Sequence, residues 1–374
     1  MGSFSDITIG EYMGFEQKNT YSEDIINAIF LPSDYIEKTL YDQEDSYIQK
    51  GFESTVGISL KRLEIFGGTL ELAKDMYDNE IKHSIVRYDD MSFEEYTDFI
   101  RECIYSGKGK YELEKEFIGH KRFLIASDFN IGQSVYFWLY ALFCKLKPET
   151  KIFYNITNFI TGRLERSDLD EILDFEKITI LTEGVTDSNF IKESLRILEP
   201  EIADYYKFID NKKYNIRGGA ANIVHTVRSF VGSNIDNKVI ALFDNDTAGI
   251  KELNILNRIT LPYNIKAFHY PDISLANSYP TIGPTGNEKL NINGLACSIE
   301  LYLGKDVLQD DDKSFYPVKW KGDQTSDNNY QGVILNKSII QDRFKAKIRR
   351  SNIVELGDWD EMKEIINLIK SAWN

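Results

Sequence analysis

Between Lys177 and Tyr270 short apolar runs alternate with amphipathic ones: "KITILTEG", "SNFIKESLRIL", "YYKFID", "AANIVHTVRSFV", "KVIALFD", "AGIKELNIL" and "IKAFHY". This alternation constrains the fold more than any other feature. Parallel strands cannot be joined by a tight turn, and a crossover helix both joins them and covers a face of the sheet. The pattern therefore predicts an α/β domain, a parallel sheet with flanking helices. Ligands of such sheets collect beyond the carboxyl ends of the strands. The first run ends in Thr182-Glu183-Gly184, with Asp187 shortly after, and a later one ends in Asp244-Asn245-Asp246 ahead of Gly249.

The chain has 374 residues, more than one core usually supports, so two domains are expected. In "FSDITIGEYMGF" the alternation of apolar positions predicts a strand or hairpin. From there to about residue 150 the spacing is helical, as in "TLELAKDMYDNEIKHSIVRY" and "SFEEYTDFIRECIY", where Ser92 and Glu95 form a capping-box pattern. "VYFWLYALFCKL" is far shorter than the roughly 20 apolar residues that cross a bilayer and reads as a buried helix. The first domain, residues 1–172, is thus expected to be mainly α (α+β) with a small β element. Its end is set at the acid-dense "DLDEILDFEK". The second domain, 173–374, has a core at about 176–308 and a C-terminal extension. In the extension "GKDVLQDDDKSF" and "KGDQTSDNNYQG" read as loops, "KSIIQDRFKAKIRRS" as a basic helix, and "DWDEMKEIINLIKSAW" as an amphipathic helix opened by Asp358 or Asp360.

A net charge of −15 argues against coating nucleic acid by bulk electrostatics but leaves room for a local basic groove or a carboxylate site around a cation. Three scattered cysteines support neither a disulfide framework nor a zinc site, and point to a reducing cytoplasm. The start has no basic, apolar secretion signal, and the glycine after Met1 is followed by no polybasic run that would favour a lipid anchor. A soluble, cytoplasmic protein is expected.

The strand-end acids have two readings. Asp and Asn cap helices by accepting backbone N–H bonds, so Asp246 and Asp187 can be plain caps. Carboxylates on adjacent strand ends can also converge on Mg²⁺ or Mn²⁺, hard ions that take oxygen ligands. In the second reading Asn245 and Thr247 are spacers. Gly218-Gly219 before a helix, beside Arg217, is either a phosphate cradle or a tight turn. "RFKAKIRR", with Arg343, Lys345, Lys347, Arg349 and Arg350, is either a nucleic-acid track or a solvated helix face.

"ILTEGVTDSNFIKESL" followed by "VIALFDNDTAGIKEL" resembles the TOPRIM domain shared by topoisomerases, primases, recombination mediators and OLD-type nucleases. The resemblance covers about residues 176–300. It implies a TOPRIM-like fold, Glu183 as general acid/base or metal ligand, and Asp244 and Asp246 as the Mg²⁺-binding pair. Asp187 and Glu300, in "ACSIELYL", look like the further acids with which OLD-type enzymes hold a second ion, although Asp187 can equally cap and a Glu on a helix is often a solvated face. Lys337 is similar to the late transition-state lysine of some of those nucleases. "MGSFSDITIGEYMGFEQKNTY" resembles the HEPN/Toprim-associated N-terminal domain, found in bacterial proteins linked to conflict with phage. His83, His120, His225 and His269 lack the nearby arginine that HEPN ribonucleases use, so a supporting or partner-binding role is expected for residues 1–172.

Walker A and Gly-x-Gly-x-x-Gly motifs are absent, which excludes the usual ATPase and dinucleotide-redox classes. The expectation is a Mg²⁺- or Mn²⁺-dependent nuclease acting on DNA or RNA in anti-phage defence, with an ATPase or other defence protein as partner and a homo-oligomer as one possible state. The rival is a non-catalytic TOPRIM subunit that binds nucleic acid or a partner.

Overall fold

The computed structural model describes residues 3–42, 45–83, 91–132, 134–160, 177–209, 217–284, 286–321, 330–350 and 353–374. The acid-dense segment proposed as a boundary lies, but for Lys177, outside these residues, as do the end of "TLELAKDMYDNEIKHSIVRY" and most of the "KGDQTSDNNYQG" loop. Two compact units emerge, Met1–Phe175 with Trp373–Asn374, and Glu176–Ala372.

The first unit carries a larger sheet than the apolar pattern predicts. Strands β1 (Phe4–Ile9), β2 (Tyr12–Lys18), β3 (Tyr35–Asp42), β4 (Asp45–Thr55) and β5 (Lys151–Asn155) form an antiparallel sheet in the order β2-β1-β5-β4-β3. The expectation of a small β element is thereby corrected. The β3–β4 hairpin escapes a hydrophobicity reading because its strands are joined by charge, with Lys38 paired to Glu53 and Lys50 to Glu37 (3.3 Å). Such cross-strand pairs stabilise a sheet without alternating apolar residues. The helices behave as expected. Ser92 Oγ accepts from the Glu95 N–H (3.3 Å) while Glu95 accepts from the Ser92 N–H (2.8 Å), the reciprocal cap that opens Phe93–Ile104. The helix Val135–Phe143 buries six of its nine residues, because its sequence is apolar all round and only an interior suits it.

In the second unit β6 (Ile178–Leu181), β7 (Tyr206–Phe208) and β8 (Val239–Phe243) join β10 (Ile265–His269) in an all-parallel sheet ordered β10-β8-β6-β7. Every residue of β6 and β8 is buried, as expected of central strands covered on both faces. The helices Val185–Leu198, Ala220–Gly232 and Thr247–Leu256 follow β6, β7 and β8 in chain order. Ile223, Val224, Val227, Leu253 and Leu256 pack with Val239, Ala241 and Phe243 in one core.

Short β9 (Asn245–Asp246) pairs antiparallel with β13 (Ala296–Cys297). A second sheet has β11 (Tyr279–Gly283), β12 (Gly286–Leu290), β14 (Val318–Lys321) and β15 (Gln331–Ile334) in the order β12-β11-β14-β15. In the extension Phe344, on the helix Lys337–Lys347, meets Phe190 with ring centroids 4.7 Å apart and Trp359 at 5.8 Å. The last helix, Asp360–Lys370, buries Met362, Ile365, Ile366 and Ile369 on one face. No helix of the described residues is long and apolar enough to cross a membrane.

Candidate functional site

The register that sets Leu181 beside Ala241 carries Glu183 and Asp244 out over the same sheet edge. Glu183 Oε1 accepts the Asp244 N–H (2.9 Å), and the Glu183 carbonyl accepts the Gly219 N–H (2.7 Å). Asp187 Oδ2 accepts the Gly184 N–H (2.9 Å) at the start of the helix Val185–Leu198. Asp246 is the N-cap of Thr247–Leu256, its Oδ1 accepting from the Gly249 N–H (2.8 Å) and its Oδ2 from Gln331 Nε2 (2.5 Å). Gly249 is required for this approach, since a Cβ there would lie 2.2 Å from the Asp244 carbonyl oxygen and 3.0 Å from Glu183 Oε1. The capping reading of Asp187 and Asp246 is thus realised, and Glu183 also has a structural use. Their joint presence alone does not argue for metal. Asp244 is different: its Oδ1 is buried and has no hydrogen-bond partner among the described residues.

Burial, opposed by the backbone N–H bond from Asp244 and reinforced by the charge of Asp246, lifts Glu183 to about 7. Burial, then the charges of Glu300 and Glu183, lift Asp187 to about 7. Asp244 is pushed well above the usual carboxylate range by burial and by Asp187, Glu183, Asp246 and Glu300. Each acid therefore opposes ionisation of the others, a balance that a divalent cation would reverse. The all-oxygen donor set and the unpartnered Asp244 oxygen fit a hard ion such as Mg²⁺ or Mn²⁺. Among the described residues no group of three or more His, Cys, Asp or Glu already stands at metal-holding spacing. Asp187 and Asp246 would have to shift to join Asp244 around an ion, each with acceptor sites beyond the one its N–H partner uses.

Glu300 does not sit on a solvated helix face. It lies in the short 3₁₀ turn Ile299–Tyr302 and is 2% exposed. Its Oε2 accepts from Ser298 Oγ (2.5 Å) and faces Lys337 Nζ (3.1 Å), and its Oε1 accepts from Gln341 Nε2 (2.8 Å). Burial raises the carboxyl, but Lys337 and these hydrogen bonds outweigh it and hold Glu300 below its ordinary value. Lys337, first residue of its helix, also donates to Ser298 Oγ (3.3 Å), so the structure brings the late lysine and Glu300 together.

The basic run does not present one face. Arg343 bonds the Gln309 carbonyl and Asp311 (3.0 Å), and Lys345 pairs with Asp342 (2.8 Å). Lys347 is 1% exposed, its ammonium donating to the Leu303 carbonyl (2.9 Å), Asp306 (2.8 Å) and the Asp358 carbonyl. The expectation that Lys347 belongs to an open nucleic-acid track is corrected: its aliphatic stem and head close the packing of the C-terminal helices. Arg349 and Arg350 are exposed. Arg217, also exposed, borders a cavity of about 40 Å³ with Gly218, Gly219 and Asn222, which holds a few waters at most. Gly219 adopts φ +101 as the N-cap of Ala220–Gly232 and Gly218 lies against the Glu183 carbonyl, so both glycines serve the turn.

Several residues escape the sequence reading. Asn245, a spacer by the metal reading of the sequence, is fully buried, its amide donating to Asp272 (2.8 Å) and accepting from the Gly294 N–H (3.0 Å). Thr247 donates to the Tyr330 carbonyl (2.9 Å). Gln331, Ser298 and Gln341 give no local signal, since each acts on an acid remote in the chain or buried by tertiary packing.

No curated protein and no solved structure matches the chain. The family described as HEPN/Toprim N-terminal domain 1 matches residues 1–202, a span that takes in β6, Glu183, Asp187 and the helix after them. With more than half of its 374 residues matched, the chain belongs to the HEPN/Toprim N-terminal domain 1 family.

Proposed function

We propose that the second unit is a TOPRIM-like, OLD-type nuclease module that hydrolyses phosphodiester bonds of DNA or RNA with Mg²⁺ or Mn²⁺. The observation that carries this reading is half-buried Asp244 at a parallel strand end, near the charges of Glu183, Asp187, Asp246 and Glu300, whose buried Oδ1 no described group satisfies. Asp244 and Asp246 would hold the ion, and Asp187 and Glu300 a second, Glu300 on giving up its pairing with Lys337. A bound ion would neutralise phosphoryl charge and acidify water. Glu183 would join the ligands or move a proton, while its other task, accepting the Asp244 N–H, keeps the two strand ends in line. Lys337, half exposed and tied to Glu300, can reach toward developing negative charge. The exposed Arg217, Arg349 and Arg350 would meet substrate phosphates.

A defence role with an ATPase or other partner is proposed on the resemblance to phage-conflict proteins, a cytoplasmic setting on the three scattered cysteines, and a homo-oligomer as one state open to the chain. The first unit would then support or dock that partner.

A non-catalytic subunit is favoured by one observation, that Glu183, Asp187 and Asp246 already have backbone partners. Incubation with plasmid, linear DNA and RNA in Mg²⁺ or Mn²⁺, beside Asp244→Ala, separates the readings. Metal-dependent cleavage lost in the variant is expected; no cleavage under any condition, or cleavage that survives the substitution, selects the non-catalytic one.

A further inference from the structure

Tyr270 follows β10 directly, and the register that pairs His269 with Phe243 sets it beside Asp244. Its N–H donates to the Phe243 carbonyl (2.9 Å), extending the ladder by one step. Tyr270, Asp244 and Glu183 therefore lie just past the ends of three neighbouring strands. The Tyr270 side chain is 0% exposed and stands edge-on to Tyr302, ring centroids 5.2 Å apart. Tyr302 commits its hydroxyl to the Pro271 carbonyl (2.7 Å). The Tyr270 hydroxyl has no hydrogen-bond partner among the described residues. Burying a hydroxyl in that state costs free energy that phenylalanine would avoid in the same space. At this rim the other buried oxygen in the same condition is Asp244 Oδ1. The charges that act on the Tyr270 hydroxyl are Asp187, Asp244 and Glu183, and burial together with these charges keeps its proton on far above the ordinary range. A neutral phenol facing carboxylates is a donor.

We infer that Tyr270 is a positioning residue of the acidic rim, its hydroxyl reserved as the hydrogen-bond donor that orients Asp244 when that carboxylate turns to take up a divalent cation. The inference rests on the metal-site reading above for its purpose, and on the strand register for its geometry. One oxygen of Asp244 held by Tyr270 leaves the other directed at the ion. Tyr302 has no such part, because its hydroxyl is already spent.

Titration of the full chain with MnCl₂ by calorimetry tests this. Tyr270→Phe removes the hydroxyl alone and is expected to weaken Mn²⁺ binding about tenfold, the scale of one hydrogen bond to a charged group. Its melting temperature in EDTA should equal or exceed that of the wild type. Tyr302→Phe should lower the melting temperature and leave Mn²⁺ affinity within twofold. Mn²⁺ affinity within twofold of wild type in Tyr270→Phe overturns the inference. If the wild type binds no Mn²⁺, the metal reading fails and the inference falls with it, whereas wild-type binding that Tyr270→Phe leaves unchanged rejects the inference alone.

Discussion

The side chain of Glu183 accepts the backbone N–H of Asp244 at 2.9 Å, so one carboxylate ties together the ends of β6 and β8. Charge and acceptor are separable in that role. Glu183→Gln keeps an oxygen for the N–H and should fold with a melting temperature within about 2 °C of wild type, while the proposed nuclease activity, if Glu183 moves a proton in it, should fall at least about 100-fold. Glu183→Ala leaves the Asp244 N–H without its acceptor and should cost about 1–3 kcal/mol in denaturant unfolding. Full activity in Glu183→Gln would remove Glu183 from the chemistry.

Stability in the absence of metal should fall as pH rises. Glu183 and Asp187 titrate near 7 in the folded protein against ordinary values of 4.5 and 3.8. Between about pH 4 and pH 7 the folded state thus holds more protons than the unfolded one, and the slope of stability with pH is negative. The contribution is complete below that window and lost above it. Melting curves in EDTA from pH 5 to pH 8 should show the decline, Asp187→Asn should reduce it while still accepting the Gly184 N–H, and MnCl₂ should restore stability most at pH 8. A wild-type slope no steeper than that of Asp187→Asn would contradict the picture.

Gly249 should tolerate no side chain. A Cβ at 2.2 Å from the Asp244 carbonyl oxygen forces the strand end and the helix Thr247–Leu256 apart. Gly249→Ala is expected to destabilise by about 1–3 kcal/mol, the usual cost of overpacking, despite alanine's better helix propensity. Chemical denaturation measures it, and a neutral or stabilising result would show that the strand end and the helix have room for a methyl group.

The basic run should split by function. Lys347→Ala leaves three oxygens without their donor and should cost about 2–4 kcal/mol, whereas Arg349→Ala and Arg350→Ala should leave stability within about 0.5 kcal/mol. If Arg349 and Arg350 meet phosphates, their loss should weaken nucleic-acid binding and flatten its dependence on salt. Binding measured across a salt series distinguishes this from a change in fold.

Much of the parallel sheet was legible because its information is local. The apolar run Val239–Phe243 is buried throughout, and an Asp before a helical pattern does cap the helix. The β3–β4 hairpin was not legible because Lys38 and Glu53 meet across a turn and carry no apolar alternation. The surroundings of the acids were harder still. Gln331 holds Asp246 from 85 positions away, and Gln341 holds Glu300 from 41. Glu300 looks like any helical glutamate until Lys337 and Ser298 are packed against it, and Tyr270 is indistinguishable from core until the register sets it beside Asp244.

Glu183, Asp187 and Asp246 are each held by a main-chain N–H, those of Asp244, Gly184 and Gly249. An amide proton is supplied by every residue except proline, so the grip survives replacement of many side chains around it as long as the chain keeps its path. During divergence such a rim would persist after the flanking letters have drifted beyond recognition. Distant kin of this chain are therefore better sought by the placement of carboxylates at two neighbouring parallel strand ends than by shared identity along the sequence.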